Sequence, residues 1–145
     1  MRKQISSSAG ELEALLHQLS ETERRITQRL SDVLAAEDTS VAQWRVLAFL
    51  AGESGQPMNE LARYTLLPAP SATRAIDGMV LDGLVYRTID EHDRRRVLVH
   101  ITAAGRARHR RLVDRIEHDA DTIVTPGDAA CLRRVARLLS GLARP

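Results

Sequence analysis

Two apolar runs, Leu84–Ile89 and Val97–Ile101, bracket seven consecutive polar residues, DEHDRRR (90–96). Short runs rich in Val, Ile, Thr and Tyr, joined by a polar connection, read as a β-hairpin with a charged tip. Every other periodic stretch of the chain follows the helical repeat. Leu12, Leu15, Leu16, Leu19, Ile26, Leu30, Val33 and Leu34 recur at that spacing and predict a long first helix over 11–36. A second helix is predicted from Val41 to about Glu53, capped by Thr39 or Ser40, with Trp44, Leu47 and Leu50 inward. GESGQP (52–57) reads as a turn. Met58–Tyr64 and Pro70–Asp82 are short helices joined by TLLPAP, and Gly83 stops the second. Thr102 opens a helix to about Val124. Asp128, after Pro126 and Gly127, caps a last helix to about Leu142. The expected order is α-α-α-α-β-β-α-α, a mostly α fold with a small β-hairpin.

Composition narrows the function classes. A chain of 145 residues favours a single domain, 1–145. With 3% aromatics the core is built from Leu, Val, Ile and Ala, and few rings are available to stack unpaired bases. One cysteine excludes an internal disulfide framework and a multi-Cys zinc site. The longest apolar run, Val46–Ala51, falls far short of the ~20 residues of a spanning helix, and MRKQISSSAG lacks the apolar core of a signal peptide. A cytoplasmic protein is expected.

The net charge of +2 is unevenly spread: −2 over 1–56, +4 over 57–111 and zero over 112–145. Nearly all the cations are arginine, Lys3 being the single lysine. Arginine suits bidentate contacts to phosphate and guanine. A short helix, a tight connection, a second helix and a charged hairpin together make a winged helix-turn-helix over 41–101. In that arrangement the second helix enters the DNA major groove, its dipole and free N–H groups favour phosphate, and arginines of the hairpin tip reach the flanking minor groove. The apolar stripe of the first helix is too long for one small lobe to cover, which hints at a partner chain.

The stretches VAQWRVLAFL (41–50), Leu61–Ala62, TRAID (73–77), DGLVYR (82–87) and DRRRVLVHITAAGR (93–106) resemble the MarR family of bacterial transcriptional regulators. The last is the most specific, an Asp-x-Arg wing followed by an apolar strand and T-x-x-G. The resemblance implies a homodimer with 11–38 and 102–145 as dimerisation helices. It implies a regulator, commonly a repressor, acting on a pseudo-palindromic double-stranded DNA site under control of a small aromatic or lipophilic anionic effector. It places Arg95 at the minor groove, with Asp93 orienting it and Arg94 and Arg96 at phosphates. The effector would bind between the dimerisation helices and the winged lobe, for which His17, Trp44 and Arg45 are candidates. The chain departs from the family at the start of the second helix, where Pro68-Ala69-Pro70-Ser71-Ala72 replaces a polar segment. Hydrogen bonding there falls to Ser71, Thr73 and Arg74, while Ala69 and Pro70 suit thymine methyls. Leu66 stands where a glycine is frequent.

Other residues have plainer readings. Arg106, Arg108, Arg110 and Arg111 span more than one helix face and cannot all meet DNA. Cys131 shares a helical face with Val135, Leu138 and Leu142, where a thiol is ordinarily buried and inert. The five histidines lack the three- or four-residue spacing of helical metal ligands, so no metal or other cofactor is expected, and no catalytic constellation points to an enzyme. The alternative function is an architectural or protein-interaction winged-helix module without ligand control.

Overall fold

The computed structural model describes residues 2–53 and 55–142, with 2–8, 126, 127, 129 and 142 described by their backbone. The expected 102–145 segment therefore ends, in what is described, at residue 142, and the side chain of Leu142 lies outside the described residues. The chain divides into two compact units, one of residues 1–32 with 119–145, the other of residues 33–118.

The first unit holds most of α1 (Arg2–Ala35), with α6 (Ala120–Ile123) and α7 (Pro126–Leu142). α1 starts well before the predicted residue 11, and no proline interrupts the segment before it. Leu30 and Ile123 are buried, and Arg29 donates to the Ile123 carbonyl at 3.3 Å. The predicted 102–124 helix is broken: α5 ends at His118, and the Asp119 carbonyl accepts from Thr122 and Ile123 to start the short α6. Asp128 lies inside the first turn of α7. Pro126 begins that helix, and Thr125 donates its hydroxyl to the Asp128 carboxylate. Cys131, read as buried, is exposed in the single chain.

In the second unit, α2 (Val41–Gly52) begins at a reciprocal cap. Ser40 Oγ accepts from the Gln43 N–H at 3.2 Å, and Gln43 Oε1 accepts from the Ser40 N–H at 2.9 Å. The segment read as a turn contains β1 (Gln56–Pro57), which pairs antiparallel with β3 through Gln56↔Val99 and Pro57↔Leu98. Two residues are too few to show a period, so only the partner strand reveals this one. α3 (Met58–Thr65) and α4 (Ala69–Leu81) lead to β2 (Val85–Ile89) and β3 (Val97–Ile101), and the sheet order is β1-β3-β2. α5 (Ala103–His118) closes the unit. Thr102 Oγ1 accepts from the Gly105 N–H at 2.9 Å and donates to the Gly83 carbonyl at 2.7 Å, tying this helix to the base of the hairpin.

The core of this unit gathers Leu47 and Leu50 of α2, Leu61 of α3, Ile76 and Met79 of α4, Val99 of β3 and Leu112 of α5, all with no exposed surface. Leu47 and Leu50 are the inward positions that the helical spacing of α2 predicts, whereas Trp44, read as inward too, is half-buried with its Nε1 enclosed and unpartnered among the described residues.

α3 ends in a left-handed residue, Leu66, at φ 56° and ψ 28°, its N–H turned back to the Ala62 and Arg63 carbonyls. That is the conformation for which glycine is suited, and an L side chain there costs about 1–2 kcal/mol. Leu66 is 81% exposed, so the side chain returns little through burial. Leu66→Gly is therefore expected to raise stability by about 1 kcal/mol, read as a higher urea midpoint. A lower midpoint would show that the leucine packs in a way the fold does not display.

Candidate nucleic-acid interface

α4 buries Ala72, Ile76 and Met79 and exposes Ser71, Thr73 and Arg74. Its start is poorer in donors than the sequence suggests. Pro70 has no N–H, and those of Ser71 and Ala72 donate to the Pro68 carbonyl at 2.9 and 3.0 Å. At most the Ala69 N–H remains for a phosphate. Thr73 also has less to offer, because its hydroxyl donates to the Ala69 carbonyl at 3.0 Å and only its lone pairs are free. Ser71 and Arg74 have no side-chain partner among the described residues.

The hairpin tip is an ordered turn. The Asp90 N–H donates to the Arg96 carbonyl at 3.0 Å and the Arg96 N–H to the Asp93 carbonyl at 2.9 Å. The Asp93 carboxylate accepts from the backbone N–H of Arg95 at 3.0 Å. The Asp93 carboxylate thus braces the turn beneath Arg95 and makes no contact with its guanidinium among the described residues. Asp90 accepts from the His92 N–H at 2.9 Å, and Arg96 Nη1 lies 3.9 Å from its carboxylate. The His92 N–H above all holds the Asp90 carboxyl below its ordinary range; desolvation opposes it, and the Asp93 N–H and the Arg96 charge add smaller lowering effects. A depressed carboxyl holds the turn in its charged form, so the tip is intact above the ordinary Asp pKa and loosens as pH falls through the lowered one. Arg94 and Arg95 extend into solvent without a partner among the described residues. Arg96 is shared with Asp90.

Three α5 arginines serve the fold. Arg106 donates to the Ala51 carbonyl at 3.3 Å, Arg108 to the Glu37 carbonyl and, at 3.4 Å, to Thr39 Oγ1, and Arg111 lies 3.8 Å from the Glu37 carboxylate. Of the effector candidates, His17 is exposed on α1 in the first unit. Trp44 and Arg45 belong to α2 in the second, where Arg45 donates to the Thr65 carbonyl at 3.2 Å. Sequence reading passed over one pair: Arg87 Nη2 of β2 lies 2.6 Å from Asp77 Oδ1 of α4. Ten residues apart on different elements, they leave no pattern in the sequence. Among the described residues no cluster of His, Cys, Asp or Glu is suited to a metal ion, and no helix is long and apolar enough to cross a membrane.

The model of the MarR family matches residues 37–96, the stretch that carries α2 to the hairpin tip. Over that stretch the chain is similar to the MarR family. It is 29% identical over 97 residues to the homoprotocatechuate degradative operon repressor of Escherichia coli, across 67% of this chain and 66% of that one. It is 38% identical over 74 residues to the transcriptional activatory protein BadR of Rhodopseudomonas palustris, across 49% and 42%. The alignments thus span under two thirds of these relatives' own lengths. The MarR-type fold extends further: the transcriptional repressor CouR, solved on a 23-mer DNA duplex, superposes with a TM-score of 0.78 at 26% identity, over 93% of this chain and 96% of that one.

Proposed function

We propose that this chain is a sequence-specific, ligand-responsive DNA-binding transcriptional regulator, a repressor, acting in the cytoplasm as a homodimer on a pseudo-palindromic site. The observation that carries the reading is the state of the arginines in the second unit. Arg63, Arg87, Arg106, Arg108 and Arg111 are each bound to a carboxylate or carbonyl of the protein, while among the described residues Arg110 of α5 has no partner and the other arginines without one, Arg74, Arg94 and Arg95, cluster on α4 and the hairpin tip. Those are the two elements a winged helix-turn-helix applies to adjacent grooves. CouR on its duplex supports the same use of the fold. Ser71 and Arg74 read the major groove, Thr73 adds an acceptor, Arg95 enters the minor groove, and Arg94 and Arg96 meet phosphates. The two-fold axis of the dimer sets the two α4 helices about one turn of DNA apart, ~34–36 Å. The first unit supplies the assembly surface. The effector is an aromatic or lipophilic anion, in keeping with the relative named for homoprotocatechuate degradation.

The test begins with selection of bound duplexes from a random pool, followed by titration of variants at several salt concentrations. Arg74→Ala should cost about 1–3 kcal/mol and relax discrimination at one base pair of each half-site. Arg94→Ala should weaken all duplexes alike and lower the salt slope by about one unit per lost contact in each half-site. Arg95→Ala should cost most where the flank is A·T-rich. If Arg95→Ala binds every duplex as the parent does, the hairpin does not read DNA. Thermal stabilisation by aromatic carboxylates checks the effector, since a ligand of the native state must raise its stability.

A further inference from the structure

We propose that the Asp77–Arg87 ion pair is the strut that sets the wing at its working distance from the recognition helix, making both residues positioning residues for DNA readout. The inference rests on the reading of α4 and the hairpin as the DNA-binding elements.

The hairpin leaves the body of the unit at one register. Val85, Val99 and Ile101 are buried, and Arg87 is paired with Val99. Outward of that pair, Leu98 is half-buried and paired with Pro57 of β1, and beyond it Thr88, Ile89 and Val97 are exposed. The side-chain hydrogen bonds and ion pairs of residues 88–97, among the described residues, stay inside the hairpin: Thr88 to His100, Asp90 to His92 and Arg96, and Asp93 to Arg95. The wing is therefore a cantilever. The outermost tie between it and α4 is the 2.6 Å contact of Arg87 Nη2 with Asp77 Oδ1. On α4, Asp77 stands one turn beyond Arg74, so it shares a face with the candidate base reader. At 52% and 32% exposure the pair is too open to water to add much to folding. Its geometric effect is greater, because it joins the helix that carries Arg74 to the strand that leads to Arg95. A wing free to swing about its base would pay an ordering cost on reaching the minor groove, and the strut removes it beforehand.

Electrostatics and positioning predict opposite signs. Asp77→Asn deletes a negative charge beside DNA, which by charge alone tightens binding. The strut predicts weaker binding, by about fivefold to tenfold on an A·T-flanked duplex, since the ordering cost returns. The decisive measurement is a double-mutant cycle with Arg95→Ala, titrated on A·T- and G·C-flanked duplexes carrying the selected half-sites. In the parent background Arg95→Ala is expected to cost about tenfold on the A·T flank, and in the Asp77→Asn background about twofold or less. Arg87→Gln should behave as Asp77→Asn does, and the reciprocal exchange of Asp77→Arg with Arg87→Asp should restore the flank preference. Matching thermal melts exclude a folding defect, for which half-exposed side chains give little cause. An Arg95 cost that stays undiminished in both single-variant backgrounds overturns the proposal. A parent protein that selects no duplex from the pool instead defeats the reading of the fold as a DNA binder, and the two failures are told apart in the same experiment.

Discussion

Glutamate at Leu15 and Leu138 should convert the protein from dimer to monomer and lower its affinity for a duplex with two half-sites by about two orders of magnitude or more. In the first unit, Leu12, Leu15 and Leu16 are 56%, 47% and 56% exposed, and on α7 Leu138 and Leu139 are 63% and 39% exposed. A groove of about 520 Å³ between α1 and the α6–α7 segment continues this surface, lined by Leu15, Leu19, Ile26, Leu132 and Val135. Monomeric proteins rarely leave so much contiguous apolar surface in water, and each leucine fully buried by a partner contributes about 1.5–3 kcal/mol. A carboxylate placed there must be desolvated without a counter-charge, which outweighs the gain from its neighbours. Sedimentation at low micromolar concentration reads the assembly. Titration against single and paired half-sites reads the lost bivalency, which leaves the single-site affinity unchanged. A parent protein that sediments as a clean monomer contradicts the whole account of the first unit.

A single methyl group at Gly105 should lower the stability of the second unit strongly. A Cβ built there falls 2.1 Å from the Leu84 carbonyl oxygen and 2.8 Å from Ile101 Cγ1. The first obstacle is backbone, and it cannot step aside freely, because the same oxygen accepts the Thr102 N–H at 3.0 Å. Gly105→Ala must push α5 away from the base of the hairpin or break that hydrogen bond. Overpacking and the lost bond together cost about 3 kcal/mol. The urea midpoint should fall with little change of slope. A midpoint within error of the parent would mean that α5 and the hairpin move apart without penalty. The glycine of the T-x-x-G motif thus has a physical reason: the threonine caps α5, and the glycine lets the capped turn rest on a carbonyl.

Much of this was legible in the chain. The two apolar runs that flank residues 90–96 and the helical spacing of Leu47, Leu50, Ile76 and Met79 are local patterns, and the strands and the buried helix positions follow them. The charged tip between two β-branched runs located Arg94, Arg95 and Arg96, and the helical period put Ser71 and Arg74 on the face opposite Ala72, Ile76 and Met79. Where local chemistry competes with itself, reading fell short. The stretch 102–124 keeps its apolar spacing past Asp119, yet that residue's carbonyl starts a new helix. Asp128 looked like a cap, but Pro126 had already begun α7.

The set of elements, their apolar faces and the place of the positive charge follow from residues a few positions apart and can be read along the chain. Which arginines are spent on the fold depends on contacts between distant segments. Arg108 is bound by a carbonyl 71 residues away, and Arg87 by a carboxylate on another element, while Arg74 and Arg95 have no partner among the described residues. Tertiary contact alone made a strand of Gln56–Pro57, by laying it against β3. A partner that is distant in sequence leaves no period behind, and a cation's role depends on whether a carboxylate or carbonyl of the folded chain reaches it first.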